Sequence, residues 1–121
     1  MHDGIPPPLA PRIELEADGR TVRRDQYGNA VGGVRTSYLD VPIATYGAAN
    51  TTAPGAPPSS RCDFFGYQVD FTHERLAQLY PTHARYALAV SRSLARLVRH
   101  RWYLPRDAQE LRVEAANAVI P

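Results

Sequence analysis

The residues able to do chemistry in this 121-residue sequence are few and badly spaced for it. Acyl transfer from a serine on a strained strand-to-helix turn needs Gly-x-Ser-x-Gly, and none of Ser37, Ser59, Ser60, Ser91 or Ser93 has those neighbours. Cys62, in SSRCDFFG, has an arginine beside it, which lowers a thiol pKa. It is the one conceivable thiol nucleophile, but no histidine is placed to serve it, and a small buried residue is the simpler reading. The histidines at 2, 73, 83 and 100 form no His-x-x-x-His pair and no Cys-x-x-Cys accompanies them, so the sequence argues for no metal and no cofactor. His73 and His83 each open a predicted helix, where hydrogen bonding in a first turn explains them better than general-base work. GNAVGG lacks the Gly-Lys-Ser/Thr with which a phosphate-binding loop holds phosphate and Mg²⁺.

Basic residues are the strongest rival feature. All fourteen are arginine, a bias that a GC-rich genome explains before any function does, and twelve acids leave a formal net charge of only +2. At about 100° per residue, Arg85, Arg92, Arg96 and Arg99 fall on one side of a long predicted helix. Such a stripe could grip phosphates, but no recognition motif accompanies it, so a solvated face is preferred and nucleic acid is disfavoured as a partner.

The elements that would position these residues divide the chain in two. Up to about residue 71 the pattern is of short extended pieces and turns. RIELEADGRTVRRD alternates Ile13, Leu15 and Val22 around Asp18-Gly19, which predicts a β-hairpin. SYLDVPIATY alternates Tyr38 and Asp40 against Leu39 and Val41, as an edge strand or extended arm would, before Pro42 interrupts any ladder. Residues 47–60, GAANTTAPGAPPSS, are small, polar and aperiodic and read as a mobile loop.

From residue 72 onward three helices are expected. Thr72 caps HERLAQLY, which should stop near Tyr80 because Pro81 follows. Pro81 then stands in the first turn of a helix whose apolar stripe is Tyr86, Val90, Leu94 and Leu97. Pro105 opens a third, with Ala108, Leu111 and Ala115 on one side. The expected class is α+β: an extended arm over 1–71 and a helical segment over 72–121, together one incomplete domain of a chain this short.

No apolar run approaches the roughly 18 residues that span a bilayer, and the N-terminus has neither a basic nor an apolar signal region. As it stands the chain reads as unexported and cytoplasmic with no membrane contact, while one cysteine leaves the compartment of a longer protein open. MHDGIPPPLAP is the kind of segment found between elements, so something is expected to precede residue 1.

The blocks DQYGNAVGGVRTSYLDVPIATY, CDFFGYQVDF, RLAQLYPTHARY and WYLPRDAQEL, in that order, resemble the C-terminal blocks of the bacterial alpha/beta hydrolase domain-containing proteins. DGIPPPLAPRIEL is similar to the linker that follows their catalytic core. Ser37 departs from the family, which more often has proline there. The resemblance implies the C-terminal portion of a serine-hydrolase-like enzyme acting on a small-molecule ester or related acyl bond. Its nucleophile and catalytic histidine would lie upstream, so no catalytic residue is assigned in this chain.

On this reading the Gly-rich arm lies across the absent core, and Gly32, Gly33, Arg35, Asp40 and Tyr46 are the candidates for docking on it or reaching its pocket. Gly32 and Gly33 would permit close backbone approach. Arg35 and Asp40 would either form a structural salt bridge or face the pocket, the former being preferred. The alternative is a free-standing interaction subunit docking on a separate partner, with weak nucleic-acid binding through the arginine helix a more distant reading. The large apolar residues Tyr38, Leu39, Val41, Ile43, Tyr46, Phe64, Phe65 and Tyr67 exceed what two short arms can bury, so an exposed patch and self-association are expected.

Overall fold

The computed structural model describes residues 4–50, 54–57 and 64–120. The N-terminal arm is built from three extended pieces joined by two tight turns. Around the first turn Leu15 bridges Val22, as the Asp18-Gly19 dipeptide predicts. The Asp18 carboxylate accepts the backbone N–H groups of Arg20 and Thr21, both at 2.9 Å, while Gly19 sits at φ 67°. A second turn repeats the device: Asp25 Oδ1 accepts the N–H groups of Tyr27 and Asn29, at 2.9 and 3.0 Å, and Arg24 bridges Ala30. Both are Asx-type turns, in which a short carboxylate replaces a backbone acceptor.

The three pieces then close on one another. Glu14 N–H donates to the Val31 carbonyl at 2.9 Å, Val31 N–H to Arg23 at 2.9 Å, and Arg23 N–H to Glu14 at 3.0 Å. The result is a closed backbone ring of three hydrogen bonds rather than a flat hairpin. Gly32 completes it at φ 82°, where a Cβ would stand 2.4 Å from the Arg12 carbonyl oxygen.

The next segment departs from expectation. Ser37–Asp40 is one helical turn, α1, and not part of an extended arm. Four alternating residues are too few to separate a period of two from one of 3.6. What decides is local bonding: the Thr36 carbonyl accepts from both Leu39 and Asp40, and Ser37 is buried. Extended structure resumes only beyond Pro42, in β1 (Ala44–Gly47), paired antiparallel with β2 (Tyr67–Asp70). β2 alternates Tyr67 and Val69 with Gln68 and Asp70, but over four residues only and with no buried face, which is too little to single it out. Gly47, taken from the sequence as the start of a loop, is the last residue of β1, and a Cβ there would lie 2.1 Å from the Tyr67 ring. Residues 51–53 and 58–60 of the expected loop lie outside the described residues, as does Cys62.

The helical half follows its sequence closely. Thr72 caps α2 (His73–Leu79), its side chain accepting the Arg75 N–H, and the helix stops before Tyr80. Thr82 caps α3 (His83–Arg99) in the same way, which leaves Pro81 just outside the helix rather than in its first turn. Pro105 does occupy the first turn of α4 (Pro105–Asn117). Tyr86, Val90, Leu94 and Leu97 of α3 pack with Ala108 and Ala115 of α4, and Val41 and Tyr80 join them to form the core. Val41 is therefore buried, not part of an exposed patch, whereas Tyr38, Phe64, Phe65 and Tyr67 are exposed as expected.

Candidate functional site

Two carboxylates of the first half of the chain, Asp25 and Asp40, converge on Arg35. Its guanidinium donates to Asp25 Oδ2 at 2.8 Å, to the Leu39 carbonyl at 2.7 Å and to the Ala30 carbonyl, and its Nε lies 3.5 Å from Asp40 Oδ1. The second oxygen of Asp40 accepts from the Ser93 hydroxyl at 3.0 Å and from Arg96, which also donates to the Arg35 carbonyl at 3.3 Å. One carboxylate of α1 thus joins the arm to α3. Asp25 shows the balance of forces. Partial burial, the largest single influence, pushes its carboxyl up, but Arg35 and the amides of Asn29 and Tyr27 together outweigh this and hold it below the usual carboxylate range.

Arg35 and Asp40 are therefore brought together as a salt bridge, the preferred of their two expected arrangements. Gly32 and Gly33 pack against Arg12, Ile13 and Glu14 within the arm. Tyr46 stands elsewhere, on β1, with its ring 6.2 Å from that of Tyr38 in an edge-on contact. Tyr38, Leu39, Ile43, Tyr46, Gln68 and Glu114 line an open groove of about 530 Å³. Its wall is fixed by Tyr38, whose hydroxyl lies 2.9 Å from each carboxylate oxygen of Glu114 on α4. Burial and then this carboxylate push the phenol up to about 12, so it stays a neutral donor. A second groove, of about 470 Å³, opens on the other side of the same pair toward Trp102 and Tyr103.

Sequence reasoning missed Asn29, which the structure makes central. Its side chain is fully buried and behaves as a short piece of strand: Nδ2 donates to the Ala44 carbonyl at 3.1 Å and Oδ1 accepts the Tyr46 N–H at 2.7 Å. The amide thereby occupies the place of a strand beside β1. In GNAVGG it looks like any turn asparagine. Glu114, Asp25, Ser93 and Arg96 were likewise not singled out together, because their sequence separations carry no periodic signal.

The apolar lining of the groove, from Tyr38, Leu39, Ile43 and Tyr46, suits an apolar or aromatic group. Ser93 spends its proton on Asp40, and no histidine bonds a serine among the described residues. His83 Nε2 instead lies 3.1 Å from the Ala115 carbonyl, tying the start of α3 to the end of α4. Among the described residues no cluster of His, Cys, Asp and Glu could hold a metal ion, and no helix is long and apolar enough to cross a membrane.

Comparison with curated proteins and with solved structures finds no match to either. The sequence model of the alpha/beta hydrolase domain family, by contrast, matches residues 1–113, nearly the whole chain. The chain, whose described residues form an α+β architecture of four helices and one two-stranded antiparallel sheet, belongs to the alpha/beta hydrolase domain family.

Proposed function

We propose that this chain is the C-terminal portion of an esterase-type alpha/beta hydrolase and is inactive alone, the nucleophile elbow and catalytic histidine being supplied by an N-terminal core. One observation carries the reading: a chain that matches the family over residues 1–113 contains no Gly-x-Ser-x-Gly. Acyl transfer needs an activated nucleophile, a base aligned with it and donors for the developing oxyanion, and a serine whose hydroxyl bonds a carboxylate already paired with arginine meets none of these needs. The groove between Tyr38 and Tyr46 is then the surface that meets the core, with Tyr38 held in place by Glu114.

Exposed Phe64 and Phe65 also suit a free-standing interaction subunit docking on a separate partner. The arginine helix speaks less for nucleic acid, since Arg96 is committed to Asp40 and leaves a shorter basic stripe.

The test is hydrolysis of an activated ester by the purified chain, alongside the sequence of the DNA immediately upstream of Met1. No turnover, with an in-frame Gly-x-Ser-x-Gly upstream, is the expected result. A kinetic burst that Cys62→Ala abolishes would make the chain an enzyme in its own right and end this reading. Retention on DNA that is lost with added salt would favour the basic-helix alternative.

A further inference from the structure

The two edges of the β1–β2 sheet are unequal. Phe71 N–H donates to the Ile43 carbonyl, and with the register Ala44↔Asp70 this makes Ile43/Phe71, Thr45/Val69 and Gly47/Tyr67 the hydrogen-bonded pairs. The backbone groups of the intervening residues therefore point outward. On β1 they are met: Ala44 and Tyr46 bond the Asn29 amide. On β2 the outward groups belong to Gln68 and Asp70, and among the described residues nothing bonds them. Unpaired N–H and C=O groups along an extended edge are a template for one kind of ligand, another extended strand.

We propose that this edge pairs with β2 of a second copy of the chain, in antiparallel register about a two-fold axis at Val69, giving a four-stranded sheet across a homodimer. The segment Tyr67-Gln68-Val69-Asp70-Phe71 is self-complementary in that register. Gln68 of one copy stands opposite Asp70 of the other, twice, so that an amide donor faces each carboxylate and the two carboxylates are kept apart. Within one chain Gln68 Nε2 donates to Asp70 Oδ1 at 2.6 Å, so the amide and the carboxylate lie on the same face of the strand. On the opposite face Val69, 58% exposed, meets its own copy, with Tyr67 next to Phe71 on each side. Closed two-fold pairing also leaves no free edge for further growth, because the outer edge of each β1 is capped by Asn29.

Position-specific cross-linking tests the register. At the non-hydrogen-bonded centre of an antiparallel pair, Cα atoms lie about 4.5 Å apart, close enough for a disulfide. Val69→Cys on a Cys62→Ser background should cross-link to a dimer under mild oxidation. Tyr67→Cys on the same background should not, because residue 67 stands about 13 Å from its copy along the strand. In sedimentation, Gln68→Glu, which sets two like charges opposite Asp70, should weaken the dimer about fivefold, and Gln68→Lys should tighten it by a similar factor. A chain that stays monomeric at all concentrations, equal cross-linking at both positions, or a dimer indifferent to both charge changes would overturn the proposal. None of these outcomes depends on the hydrolase reading.

Discussion

Asn29 is the side chain on which the arm most depends. Both ends of its amide are used against β1, and its own N–H is bonded to Asp25. Asn29→Ala strands the Ala44 carbonyl and the Tyr46 N–H together, and a loss of about 2–4 kcal/mol is expected in urea unfolding, since each buried group left unpaired costs about 1–3 kcal/mol. Asn29→Asp, equal in size, should do little better, because the carboxylate cannot donate to Ala44. At Arg35 the expected change is in pH dependence. Asp25 is held below its ordinary value of 3.8, so its contribution is present above that pH and lost as pH falls through the lower, folded-state value. Arg35→Gln should flatten the acid limb of the stability curve below about pH 4, a shape that melts across pH 2–6 would reveal. At the other extreme Tyr38, raised to about 12, contributes stability that is complete below pH 10 and disappears as pH climbs from 10 to 12. Tyr38→Phe should remove that alkaline loss. The Arg35–Asp40 pair was legible because two opposite charges sit within one short segment. Asn29 was not, since a turn asparagine and a strand-mimicking asparagine are spelled alike.

Helices α2, α3 and α4 were readable for a reason that does not extend to the arm. In α3 the residues Tyr86, Val90, Leu94 and Leu97 repeat over enough turns for a period of 3.6 to emerge, and each is buried. Leu94→Ala and Leu97→Ala should each cost about 2–5 kcal/mol, as truncations at fully buried positions do, and thermal denaturation followed at 222 nm would show it. Thr82→Ala should cost about 1 kcal/mol by removing the cap on Arg85, with no change in the helix beyond its first turn. In the arm the determining interactions are carboxylates closing turns and backbone groups meeting across them, and these leave no periodic trace. The single turn α1 is the clearest case: its residues alternate as a strand would, and the Thr36 carbonyl bends them into a helix all the same. β2 does alternate, Tyr67 and Val69 against Gln68 and Asp70, but four residues are too few for a period of two to stand out.

At the scale of the molecule, the arm and the helices are joined at a small number of points. Asp40 reaches Ser93 and Arg96 on α3, Tyr38 reaches Glu114 on α4, and the Tyr80 hydroxyl donates to the Pro42 carbonyl at 2.9 Å. Asp40→Asn should loosen the first of these joints, and amide exchange should rise in α1 and the arm before it rises in the α3–α4 core. The closed ring of Glu14, Arg23 and Val31 has a different consequence, for how far this stretch can vary in sequence. Its shape is carried by main-chain groups, and the one side-chain contact among the three, the exposed Arg23–Glu14 ion pair at 2.9 Å, adds little, so most exchanges there should be silent. Proline is the exception at each of the three, because it deletes the one donor that the position supplies and opens the circuit. The arm is thus tolerant of nearly every substitution on its links and of almost none at Gly32, where the chain must turn against its own backbone.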